Sequence, residues 1–120
     1  MDTLFSRYIR LRDGGRCVYC GKIGDVRGMH THHFRGRRYK RTRYEEDNAA
    51  CLCYACHNLM SDFSEINTSL HIKLVGSDRV EALGIRARSS NVTIDREEIK
   101  KKLQEKIKAL ELEEFWSDLL

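Results

Sequence analysis

Cys17-Val-Tyr-Cys20 and Cys53-Tyr-Ala-Cys56 are the two stretches of sequence that decide the fold. Each short Cys-x-x-Cys turn offers two sulfur ligands, and two such turns complete the tetrahedral four-thiolate site that structural zinc prefers. When both turns bind one ion, the intervening residues 21–52 become a closed loop. We therefore predict a small domain stapled by a structural Zn²⁺ ion, with Cys17, Cys20, Cys53 and Cys56 as its ligands.

Length and composition indicate one globular, soluble domain. The chain has 120 residues, of which 41% are hydrophobic and 33% are charged, enough for a modest core. No apolar run approaches the roughly 20 residues of a membrane span, and residues 1–7 lack the apolar stretch of a signal peptide. We therefore expect a cytoplasmic protein without a membrane partner, whose cysteines bind metal instead of forming disulfides. The fifth cysteine, Cys51, fits a small buried position in a strand.

Basic charge is concentrated in the half of the chain that carries the cysteine pairs. Residues 1–64 contain 12 Lys and Arg against 7 Asp and Glu, whereas residues 65–120 contain 10 against 11. The excess peaks over residues 34–44, where six basic residues are interleaved with aromatic ones and no acidic residue occurs. Guanidinium groups and aromatic faces suit phosphates and stacked bases, although a solvated basic loop has the same composition. The predicted nucleic-acid-binding residues are Arg35, Arg37, Arg38, Lys40, Arg41 and Arg43.

The pattern of apolar residues predicts several helices and two short strands. Asp2 is a candidate cap for the first helix, and Asp95 with Glu98 fits a capping box for the last one. Apolar residues at helical spacing in that last helix indicate packing or partner contact. The predicted helices cover residues 2–12, 56–63, 65–75 and 77–88 and begin again near Asp95, and the predicted strands cover residues 28–33 and 49–52.

Histidines and one asparagine lie in and beside the loop between the cysteine pairs. His32-His33 and Asn48 fall inside it, and His57 directly follows Cys56. His30 lies two residues before His32, on the same face of a regular strand. It is a spare ligand or, as we prefer, a structural or surface residue. His71 has no motif around it, and we interpret it as structural.

This ordered set resembles the phage-type HNH endonucleases of the ββα-metal superfamily. The matching stretch runs from residues 17–21 through residues 32–38 to residues 47–57, and the resemblance covers about half of the chain. It implies an α+β fold in which a zinc-stapled ββα-metal core carries an N-terminal helix and additional C-terminal helices. The expected organisation is a single domain over residues 1–120, with the core over about 14–64 and a helical extension over about 65–120.

The activity that the resemblance implies is metal-dependent hydrolysis of DNA phosphodiester bonds, by nicking or double-strand cleavage, in a protein of phage or prophage origin. His33 would be the general base, since imidazole titrates near neutral pH and can take a proton from water. His32 and His57 would bind one divalent ion, Mg²⁺, Mn²⁺, Ni²⁺ or Zn²⁺, as a Lewis acid. Many relatives carry aspartate in place of His32, and histidine shifts the preference away from Mg²⁺. Asn48 would orient the base through the strand backbone or, as in some relatives, join the metal shell.

Two other classes of function stay open at this point. A non-catalytic zinc-knuckle DNA-binding module would keep the four cysteines and the basic loop but would not need His33. A structural or interaction protein would dock on a partner through the C-terminal helix that ends at residues 115–120. For a nuclease with one site, duplex cleavage needs two nicks, so a homodimer or a phage-encoded partner protein also stays open.

Overall fold

A computed structural model describes residues 1–24, 28–89 and 93–119, and over residues 115–119 it describes the helical backbone only. Over these residues the fold is α+β, with five α-helices and one two-stranded antiparallel sheet. The predicted α+β class and the order of the elements are confirmed. The elements are α1 (Asp2–Arg12), β1 (His30–His33), a 3-10 turn (Glu46–Asn48), β2 (Ala49–Leu52), α2 (Tyr54–Asp62), α3 (Ser64–Val75), α4 (Ser77–Ala87) and α5 (Arg96–Leu119).

Helix α1 packs its apolar face on the last helix. Phe5 and Ile9, four residues apart on one face, are fully buried, and they share a core cluster with Leu103 and Ile107 of α5. Burying side chains of this size contributes roughly 1.5–3 kcal/mol each. Of packing and partner contact, the two expectations for the last helix, packing is what the described residues show. The side chains of residues 115–120, through which an interaction protein would dock on a partner, lie outside the described residues.

The predicted helix caps are correct in one case and wrong in another. Asp95 accepts a hydrogen bond from the Glu98 N–H at 3.1 Å and so begins α5. The side chain of Glu98 pairs with Lys102 at 3.1 Å. Asp2 is wrong as a cap, because it lies inside α1 and no side chain caps that helix. Its carboxylate binds arginines of the basic loop instead.

The sheet sends alternate side chains of β1 to different helices, as strand geometry requires. The register pairs His30 with Leu52 and His33 with Ala49. On one face, Thr31 bonds to Ser6 of α1 at 2.8 Å. The other face meets α2, where the rings of His30 and His32 lie beside the His57 ring. Two neighbouring histidines of β1 therefore lie on opposite faces of the sheet.

The helices after β2 begin directly at the second cysteine pair. Helix α2 begins at Tyr54, two residues before the predicted start at Cys56, so the second Cys-x-x-Cys pair is the cap and first turn of this helix. Gly76, at φ +91°, separates α3 from α4. None of the helices in the described part of the chain combines the length and the apolar character that a bilayer span requires.

Candidate metal centre and histidine site

The four predicted cysteines converge on one point. Their sulfur atoms all lie within 4.8 Å of one another. In a tetrahedral site with Zn–S bonds of about 2.3 Å the sulfur–sulfur edges are roughly 3.8 Å, and the Sγ atoms of Cys20 and Cys53 are 3.8 Å apart. Gly21, at φ +80°, makes the tight turn after the first pair. The cluster therefore fits a structural metal such as zinc, as predicted.

Electrostatics in the cluster favour a bound cation. Burial raises the pKa of the Cys17 thiol, but backbone N–H groups of Cys20, Cys53 and Tyr19 outweigh burial and lower that pKa to about 6. Burial and the neighbouring sulfurs raise the pKa of Cys56. Thiolates are the metal-binding form of cysteine, and four of them at this spacing repel one another unless a cation lies between them.

Cys51 is separate from the cluster. It is fully buried in β2, and its backbone N–H donates to the Asp13 carboxylate at 2.8 Å. Burial raises the pKa of its thiol to about 11, so it remains an uncharged thiol. The interpretation of Cys51 as a small core residue agrees with this environment.

His32, His57 and His30 lie side by side between β1 and α2. The rings of His32 and His57 are edge to face at 5.3 Å between centroids, and His30 stacks on His57 at 5.4 Å. His32 is buried, and burial lowers its pKa to about 4; burial also lowers the pKa of His57. Both rings are therefore neutral near pH 7, the state in which imidazole binds metals.

The His32–His57 pair fits a single divalent ion. Two imidazoles that share one ion through metal–nitrogen bonds of about 2.0–2.1 Å have ring centres roughly 5 Å apart, and here the separation is 5.3 Å. In the described ranges, only the four cysteines bring three or more metal-ligating side chains together at one point. His30 therefore does not complete a three-histidine site, and an ion bound by His32 and His57 would keep open positions.

His33 lies on the opposite face of β1 from that pair. Its Nε2 is 3.0 Å from the carbonyl oxygen of Arg43. Because a carbonyl only accepts, Nε2 carries the hydrogen and Nδ1 keeps the lone pair. Burial lowers the pKa of His33. The residue lines a cleft of about 310 Å³ together with Asp2, Thr3, Ser6, Arg10, Thr31 and Arg37.

Asn48 is fully buried and holds both ends of the basic loop. Its Oδ1 accepts the N–H of Arg35 at 2.9 Å, and its Nδ2 donates to the carbonyl oxygens of Arg35 and Thr42, each at 3.1 Å. The next carbonyl after Thr42, that of Arg43, is the acceptor for His33. The side chain therefore bonds to backbone on either side of the loop and places the acceptor that orients His33.

The basic residues of the loop are in different environments, and several are already paired. Arg37 and Arg43 bind Asp2, at 3.1 Å and 2.9 Å, and the hydrogen bond from Arg43 lowers the pKa of Asp2 to about 2. Arg35 rests on α4, where a side chain at Gly84 would meet its guanidinium at 2.5 Å. The remaining three are Arg38, which lies 4.8 Å above the Tyr39 ring, and Lys40 and Arg41, which line a cleft near the start of α5.

The structure adds residues to the site that the sequence did not single out. Asn67 of α3 accepts from His32 at 2.6 Å, and Arg10 of α1 lines the cleft of His33. Asp2 has the sequence context of a helix cap, yet it neutralises part of the basic loop. No motif marks these positions, because each acts on a partner more than twenty residues away along the chain.

The comparison with protein families gives one match that spans nearly the whole chain. The model of the family described as the bacteriophage lambda NinG protein matches residues 1–114. No curated protein and no solved structure matches. The match includes the four-cysteine metal site, both strands and the histidines between them. The chain therefore belongs to the NinG family of bacteriophage proteins.

Proposed function

We propose that this phage protein is a metal-dependent endonuclease of the HNH type that hydrolyses DNA phosphodiester bonds. The observation that supports this best is His33, whose Nε2–H is bound to a backbone carbonyl at 3.0 Å. Its Nδ1 lone pair is left for a proton, and Arg10 and Arg37 line the same cleft. A neutral imidazole with a fixed tautomer, beside guanidinium groups, is suited to activate water next to a phosphate.

In the proposed reaction His33 acts as the general base. Its Nδ1 takes a proton from water while the water oxygen forms a bond to phosphorus. The bond from phosphorus to the 3′ oxygen then breaks, and the leaving oxygen takes a proton from solvent. Because burial lowers the pKa of His33, the ring is deprotonated at neutral pH and ready to accept.

The other residues bind and orient the phosphate. His32 and His57 would hold a divalent ion, which would supply Lewis acidity to the phosphate and to the departing oxygen. Arg10 and Arg37, the second of which is paired with Asp2 in the free protein, would neutralise phosphate charge from the side of His33. Since His32 and His33 point to opposite faces, the proposal places the scissile phosphate at the outer edge of β1, the edge that pairs with no strand over the described residues.

That separation of faces favours a second candidate, a non-catalytic DNA-binding module. Such a protein would use the zinc staple and the basic loop and would need neither His33 nor the His32–His57 pair. The two candidates differ in one measurable property, which is metal-dependent nicking of DNA. They agree on DNA binding, so affinity alone does not separate them.

The deciding experiment is a supercoiled-plasmid nicking assay with added Mg²⁺, Mn²⁺ or Ni²⁺. We expect His33→Ala to lower the nicking rate by about 10²–10⁴-fold, the usual cost of losing a general base, with zinc content and DNA affinity nearly unchanged. Gln104→Ala, at an exposed position of α5 outside the cleft, is the control and should keep its rate within a few fold. Excess Mn²⁺ or Ni²⁺ should partly restore His57→Ala but not His33→Ala.

Two outcomes would move the conclusion to the binding module. One is equal nicking by His33→Ala and the parent, and the other is a parent that binds DNA yet nicks no plasmid with any of the three metals. Equal metal rescue of His33→Ala and His57→Ala would refute the division of roles between base and ligand.

A further inference from the structure

We propose that Asn67 is a positioning residue that holds the His32 imidazole as its Nε2–H tautomer and so leaves Nδ1 as the metal-binding nitrogen. Asn67 lies on α3, outside the stretch that carries the cysteines and the histidine pair. The use of Nδ1 as a ligand rests on the proposed function. The tautomer itself does not, because it follows from the hydrogen bonds of Asn67.

The amide of Asn67 has only one orientation that satisfies both of its partners. Its Nδ2 is 3.3 Å from the carbonyl oxygen of Phe34, which can only accept, so the NH₂ group must face Phe34. The Oδ1 atom then faces His32 and lies 2.6 Å from Nε2. An amide oxygen cannot donate, so Nε2 must carry the hydrogen and the lone pair must be on Nδ1.

Burial makes this hydrogen bond decisive for the tautomer of His32. His32 is 6% exposed. If its ring N–H had no protein acceptor, water could not take the place of that acceptor. The ring is also enclosed by Phe34 at 5.0 Å and His57 at 5.3 Å, both edge to face. Its orientation is therefore fixed by packing, and its proton is fixed by Asn67.

On the other face of the strand, a hydrogen bond to a carbonyl oxygen fixes the tautomer of His33 in the same way. Its Nε2 donates to the Arg43 carbonyl, so both neighbouring histidines keep their lone pairs on Nδ1. Second-sphere acceptors of this kind set the tautomer and basicity of metal-binding histidines, and their loss typically costs 10–100-fold in metal affinity.

The test is ¹⁵N NMR of the zinc-loaded full chain with labelled histidine, which reports directly which ring nitrogen carries the proton. We expect His32 of the parent to show the Nε2–H tautomer. Asn67→Asp, which keeps an acceptor oxygen, should preserve that tautomer. Asn67→Leu, of similar size but without an acceptor, should move population to Nδ1–H. Thr68→Ala, an exposed neighbour on α3, is the control and should leave the spectrum of His32 unchanged.

Binding of Ni²⁺ alone, measured by titration at fixed pH, gives the second readout. We expect Asn67→Leu to weaken Ni²⁺ binding at the histidine pair by about 10–100-fold, with Thr68→Ala equal to the parent. An Nδ1–H tautomer at His32 in the parent, or an unchanged tautomer in Asn67→Leu, would overturn the proposal. The spectrum of the parent decides even if Asn67→Leu fails to fold. A parent that shows the Nε2–H tautomer but nicks no DNA would overturn the proposed function and leave the tautomer assignment standing.

Discussion

Replacing Asn48 by alanine tests how the loop between the strands is held. The side chain is fully buried and makes three hydrogen bonds to backbone groups, which are the N–H and C=O of Arg35 and the C=O of Thr42. Asn48→Ala deletes all three at once and cannot replace any of them. We therefore expect lower stability and a mispositioned Arg43 carbonyl, the acceptor for His33.

The size of the effect follows from how buried these backbone groups are. A typical hydrogen bond contributes about 0.5–1.5 kcal/mol net, and a buried group left without a partner costs about 1–3 kcal/mol. Thr42 is fully buried, whereas Arg35 is half-buried and water can reach part of its backbone. A total loss of about 3 kcal/mol is therefore expected. For a chain of this size, at roughly 3–6 °C per kcal/mol, the melting temperature should fall by roughly 9–18 °C.

The assay is thermal unfolding of zinc-loaded protein, followed by circular dichroism, for the parent and two variants. Asn58→Ala is the matched control, because Asn58 is an exposed residue of α2 and its replacement should change stability by no more than about 0.5 kcal/mol. Asn48→Ala could instead melt at the same temperature as Asn58→Ala and still lose nicking. Asn48 would then act on substrate or metal, and the reasoning from backbone bonds would be refuted.

Two further predictions concern the zinc staple and the basic loop. Cys20→Ser should lose zinc and unfold the region around the site, because structural zinc contributes about 10–16 kcal/mol. Cys51→Ser should keep its zinc. Unchanged zinc content and melting temperature in Cys20→Ser would refute the four-thiolate site. Asp2→Asn should strengthen DNA binding, since it releases the two arginines that Asp2 binds, and each phosphate that they then neutralise should steepen the log–log salt dependence by roughly 0.9. The control is Asp62→Asn, which changes the net charge by the same amount at an exposed position. An equal increase in DNA affinity in both variants would show that net charge, and not release of the two arginines, causes the increase.

Elements with a local cause could be predicted from the sequence. The four-cysteine cluster follows from spacing, and the predicted bounds of β2 are those that the structure gives, Ala49–Leu52. Its residues are all buried, and Cys53 follows as the cap of the next helix. The predicted start of α2 is two residues late. The ligand spacing Cys53-x-x-Cys56 suggests a turn that precedes the helix, whereas in the structure these residues form the cap and first turn of the helix.

Features with a distant cause could not be predicted. Asp2 has the sequence context of a helix cap, but Arg43 offers it a stronger partner 41 residues away, and a charge-assisted pair outweighs a cap. The contact of Asn67 with His32 spans 35 residues and depends on how α3 packs beside β1. The opposite faces of His32 and His33 agree with strand alternation, but only the structure shows which helix each face meets.

The helices after residue 64 support the turn that carries Asn48, whereas the sequence of the last helix indicated only packing or partner contact. Residues 45–48 form this turn, and every residue before Asn48 in it bonds to at least one helix. A turn held from several directions cannot shift without breaking several contacts together, so its last residue keeps a fixed position relative to the loop. The helical extension therefore contributes to the geometry of the candidate site as well as to the core. The contacts are Tyr8 and Lys106 with the Glu46 carboxylate, Arg12 with the Glu46 carbonyl at 2.9 Å, Arg86 with Glu45 at 3.0 Å, and His71 with the Asp47 carbonyl at 2.6 Å.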